Sequence, residues 1–295
     1  MLTRRFVVAA GLAAAGSTAL AGARSARAAG SAVEQFTAEL KVLEADSGGR
    51  LGVAVVDTAG GAPFGQRLDE RFAMCSTFKL LLAGAVLARV DAGKEQLARR
   101  IRFGRGDLVP FSPVTKEMID GDGLSVADLC HAAVTRSDNT AANLLLASLG
   151  GPSAITALAR GLGDQVTRLD RIEPELNGGK RGDERDTTSP RAMAHCVQAL
   201  TLGNALQAAS RDQLVAWLRA NATGDMRLRA GMPAGWRVGD KTGTGDNGTA
   251  NDVAVIWPPN RAPVIVAVYL TEAQEKKLNA TIAAVGRAAV SALGG

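Results

Sequence analysis

The segment Ser76-Thr77-Phe78-Lys79 places a hydroxyl and an amine at a spacing that suits nucleophilic catalysis. Ser76 precedes the apolar run Leu80-Leu81-Leu82, so it lies at the predicted start of a helix, where free N–H groups and the helix dipole stabilise an oxyanion. Lys79 follows on the same face of that helix. An amine whose pKa is lowered by burial or by neighbouring charge can accept the serine proton, so the segment predicts a nucleophile and its base. A serine that only caps the helix would give the same pattern.

Two further segments carry polar groups that could act on the same substrate. Ser137-Asp138-Asn139 joins two predicted helices, and its serine could relay a proton while Asn139 grips an amide. All three residue types are also ordinary helix caps. Lys241-Thr242-Gly243-Thr244 lies on a predicted strand, where a glycine often marks the approach of a ligand to the backbone. Its amine and hydroxyls could bind a carboxylate, and the alternative is an edge strand with a solvated lysine.

Histidine and metal chemistry are poorly supplied in this chain. Its two histidines, His131 and His195, fall within apolar helical patterns, so we expect both to pack in the core. No cysteine pair or histidine cluster has the spacing of metal ligands, and we expect neither a metal nor another cofactor. A hydrolase built on these residues would therefore use a lysine or a glutamate as its base.

Residues 1–28 have the features of an export signal, which is removed from the mature protein. The basic segment Thr3-Arg4-Arg5-Phe6 comes first, an apolar stretch follows, and Ala26-Arg27-Ala28 has the small residues of a cleavage site. The two arginines also resemble a twin-arginine signal, and both export routes stay open. We therefore expect a periplasmic or secreted protein with one domain, residues 29–295.

The composition of the mature chain excludes several classes of partner. Removing the signal lowers the formal net charge from +5 to +1, because the signal carries four arginines and no acidic residue. A nearly neutral chain gives no reason to expect a nucleic acid, and no later apolar run approaches the length of a membrane span. The three cysteines, Cys75, Cys130 and Cys196, leave at least one thiol free, and we expect all of them to be buried. A monomer that acts on a small molecule is the expectation.

Hydrophobic periodicity predicts strands near both ends of the chain and helices between them. A helix over residues 33–43 opens the mature chain, and a strand follows at Leu51–Val56. Helical patterns then cover residues 77–90, 125–135, 139–149, 153–162, 189–202 and 210–219. The last elements are strands at Trp236–Lys241, Asn251–Trp257 and Pro263–Leu270, and a helix from about Glu275 to Leu293.

This separation of strands from helices indicates an α+β fold. Short turns around Asn247-Gly248 and Pro259-Asn260 suit antiparallel hairpins. We expect an antiparallel sheet covered by the terminal helices, from about residues 29–70 and 221–295, beside an all-helical lobe of about residues 71–220. A cleft between two such parts is a usual place for a small-molecule site.

The three polar segments, taken in this order and on these elements, resemble the signature of class A serine β-lactamases and penicillin-binding proteins. The resemblance runs from about residue 33 to 293. It also includes the segment Asp107-Leu108-Val109 and the segment Asn139-Thr140-Ala141-Ala142-Asn143-Leu144. Class A β-lactamases hydrolyse the β-lactam ring of penicillins, and cephalosporins are also expected as substrates.

The stretch between residues 163 and 188 distinguishes the two groups of relatives. It loses the helical pattern, and a long irregular loop is usually functional. Its segment Arg171-Ile172-Glu173-Pro174-Glu175-Leu176-Asn177 resembles the omega loop of class A enzymes. The resemblance assigns the deacylating base to Glu173 and makes Asn177 a holder of the attacking water. It also implies an ion pair between Arg171 and Asp186 and a cis bond before Pro174.

The resemblance implies a role for each remaining site residue. Ser76 attacks the lactam carbonyl, the backbone N–H groups of Ser76 and Thr244 form the oxyanion hole, and Ser137 protonates the departing nitrogen. Either Lys79 or Glu173 activates the serine, and this choice stays open. The substrate-binding residues are then Phe111, Asn139, Lys241, Thr242, Gly243, Thr244 and Arg227.

The sequence departs from its relatives at two positions. Many relatives carry an arginine where this chain has Ala250, and Arg227 fits the position from which other relatives supply the guanidinium. Some relatives bridge the Cys130 position to a cysteine where this chain has Ala83, so that disulfide is not expected.

Two alternative functions stay open. One is that of a penicillin-binding D,D-peptidase, which deacylates slowly, and the other is that of a penicillin-sensing domain, which stays acylated.

Overall fold

The computed structural model describes residues 13–119 and 121–294, with side chains described from residue 30 onward. Its helices within these residues are α1 Ala13–Ser47, α2 Phe78–Asp91, α3 Val126–Thr135, α4 Asn139–Leu149, α5 Ser153–Gly161, α6 Pro190–Thr201, α7 Ala208–Arg219 and α8 Leu278–Ala292. Its strands are β1 Arg50–Asp57, β2 Phe64–Gln66, β3 Phe72–Ala73, β4 Arg100–Ile101, β5 Leu124–Ser125, β6 Thr187–Thr188, β7 Arg237–Gly245, β8 Thr249–Trp257 and β9 Val264–Thr271.

The main sheet is antiparallel and has the strand order β2-β1-β9-β8-β7. The turns predicted around Asn247 and Asn260 connect β7 to β8 and β8 to β9, and both residues have positive φ angles, 54° and 58°. Asparagine tolerates this left-handed conformation better than most residues. Strand β7, which carries the lysine-threonine-glycine motif, is an edge strand, and one side of it therefore stays free of a neighbouring strand.

Both faces of the sheet are buried, which explains why its strands are apolar at successive positions. Leu51, Val53 and Val55 of β1 pack with residues of α1 and α8, whereas Ala54 and Val56 pack with the helical lobe. Side chains alternate between the faces of a strand, so β1, β8 and β9 each contribute to both cores. The α+β fold with an antiparallel sheet and terminal helices is confirmed, and α6 of the lobe covers the opposite face.

The helical lobe is built around α2, whose residues from Phe78 to Leu87 are all buried. Helix α2 packs against α3, α4, α5 and α7. Two of these neighbours, α3 and α4, begin at side-chain caps: Ser125 accepts a hydrogen bond from the Asp128 N–H, and Asp138 accepts one from the Ala141 N–H. Such caps satisfy the free N–H groups of a first helical turn, so local sequence sets where these helices begin.

The prediction that both histidines pack in the core is wrong. His131 in α3 and His195 in α6 are exposed, although their neighbours Cys130 and Cys196 are buried. Each helix is amphipathic and turns one face to solvent, and a histidine next to a core residue in sequence lies about 100° away around the helix. The His195 ring contacts the Leu162 carbonyl oxygen at 2.7 Å.

The three cysteines are buried free thiols in the described structure. Burial raises the pKa of each thiol above its ordinary value. They therefore act as small apolar side chains, as predicted. Cys130 contacts the core of the lobe, where the sequence offers alanine rather than cysteine at position 83.

The predicted export signal falls partly outside the described residues, which begin at Ala13. Its described part, residues 13–28, is helical and forms the beginning of α1. Among the residues that the structure describes, no single helix is both long and apolar enough to cross a membrane, and α4 with α5 meets that criterion only as a bent pair.

Candidate active site

Ser76 lies in a single helical turn, Cys75–Thr77, that leads directly into α2. The turn begins with Cys75 at a positive φ of 45° and is held by a hydrogen bond from Thr77 Oγ1 to the Met74 carbonyl oxygen, 2.8 Å. The Tyr269 hydroxyl of β9 contacts Thr77 Oγ1 at 3.2 Å, so the sheet supports the turn from below. Ser76 is 8% exposed and opens to the cleft between the sheet and the helical lobe.

Lys79 connects three of the predicted motifs. Its fully buried amine donates to Ser76 Oγ at 3.0 Å, to Asn139 Oδ1 at 2.6 Å and to the Ser137 carbonyl oxygen at 2.9 Å. It also pairs with Glu173 Oε1 at 2.9 Å. Burial lowers the pKa of Lys79, and the Glu173 carboxylate opposes this shift. A buried amine with a lowered pKa can take the serine proton, as the spacing of Ser76 and Lys79 predicts.

Glu173 reaches the same serine from the long loop. Ser76 Oγ donates to Glu173 Oε1 at 3.4 Å, and Asn177 Nδ2 donates to Glu173 Oε2 at 2.5 Å. The Asn143 side chain holds the Glu173 backbone on both sides, with distances of 2.9 Å to its N–H and 2.8 Å to its carbonyl oxygen. The peptide bond between Glu173 and Pro174 is cis, as the resemblance implies. Both candidate bases therefore contact the nucleophile.

The loop that carries Glu173 is anchored by the predicted ion pair. Arg171 Nε donates to Asp186, a carboxylate that also accepts the backbone N–H groups of Asp170 and Arg171. The Asp186 carbonyl oxygen in turn accepts the Met74 N–H at 2.9 Å. The base of the loop is thus hydrogen-bonded to the chain two residues before the nucleophile.

In the Ser137-Asp138-Asn139 segment, one residue caps a helix and the other two face the site. Asp138 is fully buried and caps α4, and it also accepts hydrogen bonds from Val114 and Thr115. Ser137 has a positive φ of 56° and accepts a hydrogen bond at its Oγ from Lys241 Nζ, 3.1 Å. Burial, with the nearby Lys79 amine, lowers the pKa of Lys241 to about 7. The cap interpretation is correct for Asp138, whereas its two neighbours face the site.

Gly243 is required by the fold itself. A Cβ atom at this position would lie 2.8 Å from the Met74 carbonyl oxygen and 3.2 Å from Thr77 Cγ2. Any side chain on this face of β7 would therefore push the strand away from the turn that holds Ser76. The close neighbour that demands a glycine is the protein backbone, whereas the sequence pattern suggested an approaching ligand.

The guanidinium of Arg227 contacts β7. This agrees with the expectation that Arg227 supplies the guanidinium that many relatives carry where this chain has Ala250. Its NH2 group donates to Thr244 Oγ1 at 2.7 Å, and its NH1 group donates to the Gly243 carbonyl oxygen, also at 2.7 Å. Its Nε atom donates to Asn279 Oδ1 at 2.9 Å. Burial lowers the pKa of Arg227, although buried carboxyl groups oppose this shift. The guanidinium makes no ion pair with a carboxylate among the described residues.

These groups meet at a cleft of about 670 Å³. Among the predicted site residues, those that line the cleft are Ser76, Phe111, Ser137, Asn139, Asn177, Arg227, Thr242 and Thr244. Lys79, Glu173, Lys241 and Gly243 lie behind this lining. Phe111 is 64% exposed and has a positive φ of 60° at the mouth of the cleft.

Comparisons with known proteins agree with this geometry. Residues 35–293 match the model of the β-lactamase enzyme family. The chain is 50% identical over 238 residues to β-lactamase Toho-1 of Escherichia coli, with 81% of each chain covered. It is 51% identical over 255 residues to the carbapenem-hydrolysing β-lactamase KPC of Klebsiella oxytoca, covering 85% of this chain and 87% of that protein. The solved structure of the ancestral GNCA class A β-lactamase is 64% identical and superposes with a TM-score of 0.86, covering 87% and 99%.

The chain belongs to the class A β-lactamases. Enzymes of this family hydrolyse β-lactams, and this activity gives resistance to the antibiotics. The reaction of this β-lactamase is therefore hydrolysis of a β-lactam, and the D,D-peptidase and sensor interpretations are not supported by its relatives.

Two residues that hold the site of this β-lactamase were not assigned a role from the sequence. Asn143 brackets the Glu173 backbone, and Thr223 Oγ1 contacts Thr242 Oγ1 at 2.5 Å. Asn143 lies one helical turn after Asn139, so the two side chains share a face of α4. This spacing alone indicates that Asn143 lies on the side of the helix that carries Asn139. Thr223 lies between α7 and β7 in a segment without a motif, and only the fold brings it to the strand.

Proposed function

We propose that this β-lactamase opens the lactam ring through an acyl-enzyme on Ser76 and that Glu173 drives its hydrolysis. The observation that carries the proposal is the convergence on one hydroxyl. Ser76 Oγ lies 3.0 Å from Lys79 Nζ and 3.4 Å from Glu173 Oε1. A nucleophile and its bases within hydrogen-bond reach are the arrangement that acyl transfer needs.

In acylation, Ser76 Oγ forms a bond to the lactam carbonyl carbon and the ring C–N bond breaks. The serine proton passes to Lys79, or to Glu173 through water, and both routes fit the contacts. Ser137 delivers a proton to the departing nitrogen, and its hydrogen bond from Lys241 supports this transfer. The backbone N–H groups of Ser76 and Thr244 are proposed to hold the developing oxyanion.

In deacylation, a water molecule attacks the ester carbon and restores the serine. Glu173 removes a proton from this water, and Asn177 helps to position it. The hydrogen bond from Asn177 Nδ2 to Glu173 Oε2 leaves Glu173 Oε1 toward the serine. A base that is positioned this closely explains why the drug would be released rather than retained.

Recognition of the substrate carboxylate is assigned to the edge strand. Arg227 and Lys241 provide positive charge, while Thr242 and Thr244 provide hydroxyl groups that line the cleft. A guanidinium suits a carboxylate because it can donate two parallel hydrogen bonds. Asn139 is proposed to bind the side-chain amide of the drug, Phe111 to cover it at the mouth, and Gly243 to keep the strand close.

The remaining parts of the proposal concern location and assembly. Residues 1–28 are proposed to be an export signal, which would place a mature monomer of residues 29–295 in the periplasm or outside the cell. The mature enzyme is proposed to use no cofactor and to bind neither a nucleic acid nor a membrane. The domain is proposed to consist of an α/β part, about residues 29–70 and 221–295, and a helical lobe, about residues 71–220.

Turnover of nitrocefin tests the proposed function directly. The purified mature protein is expected to hydrolyse many equivalents of this chromogenic cephalosporin without a slow phase of acyl-enzyme release. A single stoichiometric burst followed by release over minutes would instead identify a penicillin-binding protein and would contradict the proposed role of Glu173.

A further inference from the structure

Two buried carboxyl groups lie next to each other behind the carboxylate-binding strand. Asp240 of β7 and Asp252 of β8 are both fully buried. Asp240 is paired with Ala254, and Asp252 is paired with Thr242, so the two aspartates are diagonal neighbours on one face of the hairpin. Diagonal neighbours on one face of an antiparallel pair are within reach of each other, so the register places the two carboxyl groups close together.

The oxygen atoms of the two groups are satisfied unequally. Asp240 Oδ1 accepts from Arg229 Nε at 2.6 Å, and Asp240 Oδ2 accepts from Asn221 Nδ2 at 2.7 Å. Asp252 Oδ2 accepts from the Leu228 N–H at 3.0 Å. Asp252 Oδ1 is buried and receives no hydrogen bond from a donor of any described residue. A buried carboxylate oxygen without a donor is costly, whereas a protonated oxygen can itself donate.

Among the described residues, only one of the two carboxyl groups makes an ion pair. Arg229 pairs with Asp240, while Arg227, on the same turn, donates to carbonyl, hydroxyl and amide oxygens instead. Lys241 projects from the other face of β7 toward Ser137. Burial raises the pKa of Asp252 well above its ordinary value, and the neighbouring Asp240 raises it further, while the Arg227 guanidinium opposes this shift. Burial also raises the pKa of Asp240, but the Arg229 guanidinium opposes that shift.

We propose that Asp240 and Asp252 share a single proton at neutral pH, that Asp252 carries it and donates it to Asp240, and that Asp252 is a positioning residue for Arg227. Two adjacent buried carboxylates cannot both ionise without a large cost. With its proton directed at Asp240, Asp252 still accepts the Leu228 N–H through Oδ2. This bond fixes the start of the turn Leu228–Gly231, immediately after Arg227.

The shared proton has a consequence for substrate binding, which rests on the proposed function. The pair then carries one negative charge, which Arg229 neutralises, and the positive charge of Arg227 remains available to an anionic substrate. A second negative charge behind β7 would offset that of Arg227 and would weaken the attraction for a substrate carboxylate.

Carboxyl NMR of the whole enzyme tests the protonation without any turnover. With ¹³C introduced selectively at the aspartate carboxyl carbons, Glu173 gives no signal. One aspartate is expected to show the shift of a protonated acid at pH 7, and Asp252→Asn is expected to remove that resonance. The proposal is overturned if every aspartate is ionised in the unmutated enzyme or if the resonance survives in Asp252→Asn.

A pair of isosteric variants tests which carboxyl carries the proton. Asn at position 252 supplies an N–H to Asp240 and an oxygen to Leu228, so Asp252→Asn is expected to keep the KM for benzylpenicillin within about threefold. Asp252→Ala removes both bonds and is expected to raise KM by about tenfold or more. Asp240→Asn would direct an N–H at the donors Arg229 or Asn221, and a lower Tm than that of Asp252→Asn is expected.

The opposite order of these variants contradicts the proposal. If Asp252→Asn is impaired as much as Asp252→Ala, the donor role is wrong, since the amide reproduces it. If Asp240→Asn has the higher Tm of the two, the proton belongs to Asp240. Because the NMR and Tm measurements need no substrate, their failure is distinguishable from a failure of the proposed β-lactam chemistry, which would appear only in KM and turnover.

Discussion

The two walls of the cleft hold their charged groups in different ways. On the lobe side, Lys79 and Glu173 are fully buried and contact each other as well as Ser76. On the strand side, Arg227 and Lys241 contact neutral oxygens and make no ion pair among the described residues. The reacting groups are thus positioned by one another, whereas the recognition groups are positioned by backbone and side-chain oxygens that leave their charge available.

This difference suggests that changes on the two sides affect different kinetic constants. A group that acts only in the chemical steps changes kcat when it is removed, whereas a group that binds substrate and transition state alike changes KM. The four variants or conditions below test this division, from the largest expected effect to the smallest.

Ser76→Ala is expected to remove β-lactam turnover almost completely, because among the described residues no other hydroxyl contacts both Lys79 and Glu173. Loss of a nucleophile costs on the order of 10⁶-fold in kcat in enzymes of this kind of chemistry. The measurement is nitrocefin hydrolysis at enzyme concentrations that reveal residual activity. Activity within tenfold of the unmutated enzyme would show that Ser76 is not the nucleophile.

Glu173→Ala is expected to slow deacylation by about 10²–10⁴-fold and to trap the drug, because acylation retains Lys79 as a base. Mass spectrometry after mixing with benzylpenicillin should show the protein plus one drug mass, while the unmutated enzyme shows no lasting adduct. Glu184→Ala is the matched control, since this glutamate is exposed on the same loop. An unmodified Glu173→Ala protein would assign acylation to Glu173 as well.

Arg227→Ala is expected to weaken binding of an anionic β-lactam by roughly 1–3 kcal/mol, the scale of a lost hydrogen bond to a charged group. The effect should fall mainly on KM for benzylpenicillin, with a smaller change in kcat. Arg237→Ala is a suitable control because this arginine is exposed at the start of β7, the strand that Arg227 contacts. An unchanged kcat/KM in Arg227→Ala would place the carboxylate elsewhere.

The lowered pKa of Lys241 predicts a modest pH dependence of binding. Burial brings this pKa to about 7, so the amine is charged below pH 7 and loses its charge as pH rises. The KM for benzylpenicillin is therefore expected to increase by about threefold to tenfold between roughly pH 6 and pH 9, because one attractive charge is lost. Lys241→Arg, which stays charged, should flatten this profile, and an equally steep profile would exclude Lys241 as its source.

The same shift predicts the sign of one contribution to stability. The unfolded chain keeps its Lys241 proton up to a pKa near 10.5, whereas the folded protein releases it near 7. Between these values the unfolded state binds more protons, so this contribution makes the folded state more stable as pH rises. The gain in folding stability and the increase in KM therefore both result from the loss of the Lys241 proton, and both occur as pH rises.

Much of the local structure follows from the sequence because its signals are local. The helices predicted from residue 77 onward and the three later strands agree with the structure to within a few residues, since caps and apolar periodicity act over one or two turns. The first helix differs, because it begins at Ala13 and not near residue 33. The chemistry of Ser76 and Lys79 was also readable, because a spacing of three residues on a helix forces proximity. The exposed positions of His131 and His195 show the limit of this approach, as periodicity on a short apolar helix does not say which face meets solvent.

The amino-acid sequence by itself determined the main helices and strands, the nucleophile motif and the candidate base on the long loop. The tertiary structure decided what those residues contact. Lys79 meets Ser137, Asn139 and Glu173 only because separate segments pack against α2. Gly243 is a glycine because β7 passes against the chain at Met74, and Asp252 faces Asp240 only through the register of a hairpin. Such contacts join residues that are distant in sequence, and their distances and degree of burial set the charges, so no local pattern encodes them.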